Sequence, residues 1–223
     1  MSQGLQYYVD IVLCIDRTGS MSPIIEATKK EAKRFVEKTL SDLEAAKKKV
    51  DEFRIKVIYF GDYWADGTDA MLESEFYSLP DQMDGYSSFL EAPLVGGGDA
   101  PESALEAIAL GMKSNWTSKG EKRRHIVVMY TDAPPHPLEK GDKPSHYPSD
   151  MPGNLSDLAE LWSSQATGLS KSSKRMFLFA PESETWNAIY ENFDNAIHVA
   201  AKAGAGLADM SIDDIVDQIV KSI

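Results

Sequence analysis

The sequence is poor in the features that mark several function classes. Cys14 is the only cysteine in 223 residues, so no intrachain disulfide framework exists, and a cytosolic setting is favoured. Basic residues are outnumbered: 23 Lys and Arg stand against 35 Asp and Glu, for a net charge of −12. That balance argues against nucleic acid or an anionic membrane surface as partner. It suits cations or basic surfaces. No apolar run reaches the ~18 residues of a membrane span. The first residues, Met1 to Tyr8, are polar and lack a signal-peptide core, so the chain reads as soluble, unsecreted and cytoplasmic. No Gly-x-x-x-x-Gly-Lys-Ser/Thr phosphate loop, no Gly-x-Ser-x-Gly nucleophile elbow and no Cys/His pair occurs.

What is present is an ordinary globular composition. A hydrophobic fraction of 43% is enough to bury a core, which excludes wholesale disorder. The length suits one α/β domain spanning residues 1–223.

Val9 to Ile15 is a nearly continuous apolar run, the mark of a strand buried on both faces. Ser22-Pro23 reads as N-cap and first residue of a helix running to about Lys49. Phe53 to Phe60 reads as a strand, and Met71 to Leu79 as a short edge strand. Ser87 to Leu94 reads as a short helix before Gly96-Gly97-Gly98. Asp99-Ala100-Pro101-Glu102 reads as the opening of a helix carrying Leu105, Ile108, Ala109 and Met112. His125 to Thr131 is the next buried strand. A proline-rich polar stretch, Ala133 to Gly153, exceeds the usual connection and suggests a functional surface or flap. Leu155 to Gly168 reads as helix, Arg175 to Ala180 as strand, Ser183 to Phe193 as helix and Ala196 to Ala200 as strand. Ile212 to Ile223 gives a last helix one apolar face. The alternation predicts a doubly wound, mostly parallel sheet of about six strands with one antiparallel edge strand and helices on both faces.

In such sheets ligands bind beyond the carboxyl ends of the strands. Three segments place polar residues there: Asp16-Arg17-Thr18-Gly19-Ser20, Gly96-Gly97-Gly98-Asp99 and Thr131-Asp132. The candidate ligands are Asp16, Thr18, Ser20, Asp99 and Asp132. Three carboxylates converging in one crevice repel one another unless a cation joins them. Carboxylate and hydroxyl oxygens select Mg²⁺, Ca²⁺ or Mn²⁺ over zinc. Gly19 is read as permitting a tight turn.

Asp10-Ile-Val-Leu-Cys-Ile-Asp16-Arg-Thr18-Gly-Ser20-Met21 resembles the opening of a von Willebrand factor A domain. The resemblance implies a Rossmann-like fold and a metal-ion-dependent adhesion site. The first-loop motif Asp-x-Ser/Thr-x-Ser falls on Asp16, Thr18 and Ser20, and the third-loop aspartate on Asp132. The second-loop Gly-Gly-x-Thr falls on Gly96 to Asp99, with an aspartate in place of threonine. The resemblance further implies one divalent cation, most simply Mg²⁺, and a non-enzymatic module whose protein partner supplies an Asp or Glu carboxylate.

Plainer readings exist for each residue. Asp16 and Asp132 also suit turns, and Thr18 and Ser20 suit loop hydrogen bonds. Asp99 ligates directly, acts through water, or only caps its helix. His136 reads as an exposed loop histidine, Asp10 as structural and Glu102 as a helix-dipole partner. The four tryptophans read as scattered, with no aromatic platform. Two other functions stay open. One is a metal-dependent hydrolase or phosphatase, although Thr18 stands where a phosphatase of the haloacid-dehalogenase type needs an acidic residue. The other is a structural subunit with a vestigial metal site.

Overall fold

The structure is a computed structural model that describes residues 7–45, 50–95 and 101–201, with Asp217 and Lys221. The expected last helix, Gly96 to Ala100 and hence Asp99 lie outside the described residues, apart from Asp217 and Lys221, which are helical.

Five strands form the parallel body of the sheet: β1 (Tyr7–Asp16), β2 (Glu52–Phe60), β5 (Lys122–Tyr130), β6 (Lys174–Pro181) and β7 (Ala196–Ala201). Their burial follows from composition. Val9 and Ile11 to Ile15 are all at most 2% exposed, so the run has no polar face to show solvent. Two short strands, β3 (Met71–Glu73) and β4 (Tyr77–Leu79), run antiparallel to β2 at its two ends. The expected single edge strand is therefore split, and among the described residues the sheet has seven strands. Ser74 makes the break: its hydroxyl accepts the Val57 N–H at 2.9 Å, in place of a ladder carbonyl.

Among the described residues five continuous α-helices cover the sheet: α1 (Ser22–Ala45), α2 (Met83–Leu90), α3 (Ala104–Met112), α4 (Leu155–Ser163) and α5 (Glu184–Asn192). Helices α1 and α2 pack Ile25, Val36, Leu43, Tyr86 and Leu90 onto the face that carries Val9, Ile11, Leu13 and Phe177. Helices α3, α4 and α5 pack Ile108, Met112, Leu158, Trp162 and Trp186 onto the face that carries Val12, Cys14, Met129 and Leu178. Cys14 is fully buried, its thiol directed at the Ala107 carbonyl 3.5 Å away, as expected of a small core residue.

Three helix starts differ from expectation. A 3₁₀ turn, Gly19–Met21, leads straight into α1, so Thr18 rather than Ser22 occupies the N-cap position. Helix α2 begins earlier and stops at Leu90, because Ala92 precedes Pro93, and the residue before proline is disfavoured in the α region. Helix α3 opens at Ala104 after Ser103. Pro101 and Glu102 precede it, and the Glu102 backbone forms a β-bridge with Pro135.

The strand order β3-β2-β1-β5-β6-β7 puts the reversal of winding between β1 and β5. That switch point opens a crevice beyond their carboxyl ends, where Asp16 ends β1 and Thr131-Asp132 follows β5.

Candidate metal centre at the switch point

Asp16 is completely buried, yet it closes a strand at the mouth of the crevice. One of its oxygens accepts the Thr18 N–H at 2.9 Å and the Thr18 hydroxyl at 2.6 Å. The other accepts the Thr131 hydroxyl at 2.7 Å. Thr18 is extended, with φ −68° and ψ 164°, and this lets both its donors turn back onto the carboxylate. Ser20 is exposed and donates to Asp132 at 2.9 Å, while its Oγ lies 3.4 Å from that of Thr18. Four of the five expected residues, Asp16, Thr18, Ser20 and Asp132, thus form one chain of oxygens that opens to solvent at Ser20. Asp99, the fifth, lies outside the described residues.

Burial raises the Asp16 carboxyl to about 6, and the charge of Asp132 adds to the rise; the Thr18 and Thr131 hydrogen bonds oppose it. Among the described residues no Lys, Arg or His pairs with Asp16. The nearest cation in sequence, Arg17, is turned away. Its guanidinium donates to the carbonyls of Asp69 and, at 3.2 Å, Pro93. Its backbone N–H donates to Phe60 and its carbonyl accepts from Val95. Arg17 therefore ties the first loop to the segment that leads into Gly96.

The donor set is compatible with a hard cation. It contains carboxylate and hydroxyl oxygens only, with no nitrogen or sulfur. Neighbouring oxygens in an octahedral Mg²⁺ shell stand about 2.9 Å apart, from metal–oxygen distances of ~2.0–2.1 Å. The Ser20–Asp132 and Thr18–Ser20 separations of 2.9 and 3.4 Å are of that size. Among the described residues no group of three or more His, Cys, Asp or Glu side chains is placed to hold a metal. The described cluster has two carboxylates, and its remaining oxygens are hydroxyls.

Several residues that shape this end were missed. Thr131 binds Asp16 directly, and its position before Asp132 was the only signal. Gly61, directly after β2, is another. A Cβ there would collide with the Asp66 carboxylate and meet Val95 at 2.7 Å, so glycine lets the Val95 segment approach the end of β2. At Gly19, by contrast, a Cβ would meet nothing within 4 Å, and the backbone is not left-handed; the turn there does not require glycine.

His136 corrects its expectation too. It is 4% exposed and lies 3.4 Å from the buried Asp62. Its backbone N–H donates to the Glu102 carbonyl, and the Glu102 N–H donates to Pro134, which joins the segment before α3 to the third loop. Nor is Trp64 isolated: its ring sits 5.2 Å from that of His136 and 5.7 Å from that of Tyr147. The Ala133–Gly153 stretch carries no helix or strand of its own.

No protein-family profile matches the sequence, and no curated protein is significantly similar to it. Solved structures are similar. The pilus adhesin SpaC from Lactobacillus rhamnosus GG superposes with a TM-score of 0.59 at 15% identity, over 98% of this chain and 31% of that one. Proximal thread matrix protein 1 from the mussel byssus does so at 0.53 and 12% identity, over 96% of this chain and 47% of its own. The fold is von Willebrand factor A-like. A further structure of the mussel protein, described as having a zinc-occupied MIDAS motif, matches at 0.50 and 13% identity, over 96% of this chain and 46% of that one. The chain spans less than half the length of these neighbours. Among the described residues no helix is long and apolar enough to cross a membrane.

Proposed function

We propose that the chain is a metal-dependent protein-binding module, with no catalytic role, in which Asp16, Thr18, Ser20 and Asp132 hold one divalent cation and Asp99 completes the set. The observation that carries this reading is Asp16, a completely buried carboxylate bonded only to neutral donors and adjacent to a second carboxylate. Such a group in a crevice is stabilised by an incoming cation. Mg²⁺ suits the all-oxygen set, with Ca²⁺ and Mn²⁺ as alternatives. When bound, the ion supplies an open coordination position for an anionic oxygen. Ser20, exposed beside Asp132, marks the side from which a partner's Asp or Glu carboxylate reaches it. Thr131 orients Asp16, as an outer donor orients a ligating carboxylate. The adhesin and matrix-protein neighbours support an adhesion-like role, and the lone buried Cys14 supports a cytoplasmic one.

Calorimetric titration of Mg²⁺ and Mn²⁺ into the purified chain tests the metal reading. Wild type is expected to bind at least one ion, and Asp16→Ala to lose roughly a hundredfold or more in affinity. Absence of binding by Mg²⁺, Ca²⁺ and Mn²⁺ overturns the reading and favours a vestigial site.

A further inference from the structure

The stretch that leaves Asp132 packs against Trp64, and the two build an aromatic platform with two lysines on it. The Trp64 and Tyr147 rings stand 5.7 Å apart. Lys140 Nζ lies 4.2 Å above the Trp64 ring, and Lys143 Nζ 4.4 Å above the Tyr147 ring. Lys140 also donates to His136 Nε2 at 2.8 Å. Among the described residues neither lysine forms an ion pair with a carboxylate. Lys38, Lys56, Lys113, Lys119 and Lys171 each do. In a chain of net charge −12, two ammonium groups are held by ring faces and, for Lys140, the His136 imidazole, rather than by carboxylates. Glu139 and Asp142 are exposed on the same stretch, so the attraction is local to the platform rather than a broad positive field.

The platform is fastened in place. The Trp64 indole N–H donates to the carbonyls of Gly141 and Asp142, which lie between the two lysines in sequence. The Tyr147 hydroxyl donates to the buried Glu106 at 2.8 Å, and His146 Nε2 bonds the Tyr63 carbonyl at 3.0 Å. A surface ordered before binding loses less entropy on association. Half-buried aromatics beside cations are also the composition of binding surfaces. The platform lies near the metal cluster: His136, under Trp64, is four residues from Asp132, at most ~14 Å of extended chain.

We propose that Lys140 and Lys143 form a second anchor for the partner, taking an acidic side chain from the same extended segment whose first carboxylate reaches the metal cluster. This rests on the metal-binding reading. A segment of about six to eight residues, ~20–28 Å when extended, spans both anchors. The partner is then a protein segment with two acidic positions a fixed distance apart, matched by charge to the ion and to the lysines.

Selection from displayed random peptides in excess Mg²⁺ tests this. Wild type is expected to enrich sequences with two acidic positions at constant separation. A synthesised representative should bind Lys140→Gln/Lys143→Gln roughly three- to tenfold more weakly, with Mg²⁺ affinity unchanged in calorimetry. Lys140→Arg/Lys143→Arg should restore it. Enrichment of peptides with a single acidic position, no enrichment at all, or equal binding by the glutamine variant overturns the second anchor. If Mg²⁺ still binds in those cases, the metal reading stands; failure of Mg²⁺ and its congeners to bind wild type removes both.

Discussion

Strand β1 carries a buried aspartate towards each end, and the two are treated differently. Asp10 is 1% exposed and Asp16 is fully buried. Asp10 receives both arms of Arg54, at 2.8 and 2.6 Å, and the Thr117 N–H at 2.7 Å. Its charge is compensated by a bidentate guanidinium, the geometry that best repays burial of a carboxylate. Asp16 receives hydroxyls and one N–H, and no cation among the described residues. The arginine beside it, Arg17, is committed to carbonyls. The amino end of the sheet is electrostatically closed, and the carboxyl end is left with a demand for positive charge. An uncompensated carboxylate beside a second one is informative because the same strand shows how the fold neutralises such a group when its role is structural.

The largest expected effect breaks the closed end. Arg54→Ala strands the Asp10 carboxylate in the interior and should cost about 3–5 kcal/mol of stability in chemical unfolding. A loss below about 1 kcal/mol would mean that Asp10 is not compensated as described. Next is the pH dependence contributed by His125, also at this end and 1% exposed. Its ring bonds the Thr117 carbonyl at 3.1 Å and faces the Ser173 hydroxyl at 3.5 Å, which suits the neutral form. Burial, aided by Arg123 and Arg54, pushes it down to about 4, against Asp10 and Thr117. The unfolded chain titrates near 6.5, so between these values it binds the proton that the folded chain refuses. This contribution to stability is fully present above 6.5 and is lost as pH falls towards 4, by about 3 kcal/mol. Unfolding curves of wild type and His125→Gln at pH 7 and pH 4 should therefore converge, or cross in the variant's favour, by that amount. Parallel pH profiles would refute it.

The parallel strands were legible because each is an apolar run between turn signals, and the run from Val9 to Ile15 needs no tertiary information to be recognised. Asp16, Thr18, Ser20 and Asp132 were legible because short polar motifs at strand ends converge in any sheet wound this way. The Trp64–His136–Tyr147 cluster was not, since it joins residues about eighty positions apart through packing that no local pattern encodes. His136 was misjudged for the same reason: a loop histidine becomes buried only when another loop covers it. The Glu102–Pro135 bridge likewise overrode a good helix-opening pattern, because pairing two loops satisfied backbone groups that a longer α3 would have used. The stop of α2 was readable, and Pro93 was its signal.

Arg17 offers a smaller effect at the open end. It touches no candidate ligand side chain, but it holds the first loop against the segment entering Gly96. Arg17→Lys keeps the charge and loses the forked geometry. Mg²⁺ affinity measured by calorimetry should fall about tenfold, ~1.4 kcal/mol, in the range for groups that position ligands. Unchanged affinity would show that the loops hold their places without it.

The smallest expected effect is the sharpest on the comparison. Asp16→Asn keeps the size of the side chain and an oxygen for the Thr18 donors, and removes the charge. In EDTA its stability should lie within about 1 kcal/mol of wild type, or above it, because burial and Asp132 already disfavour the charged form. Added Mg²⁺ should then stabilise wild type, by about 2.7 kcal/mol at a hundredfold excess over Kd, and leave the variant unmoved. Differential unfolding with and without the ion reads both quantities in one experiment. If Asp16→Asn in EDTA costs as much as Arg54→Ala, Asp16 is a structural carboxylate like Asp10, and the two ends of β1 no longer differ in kind.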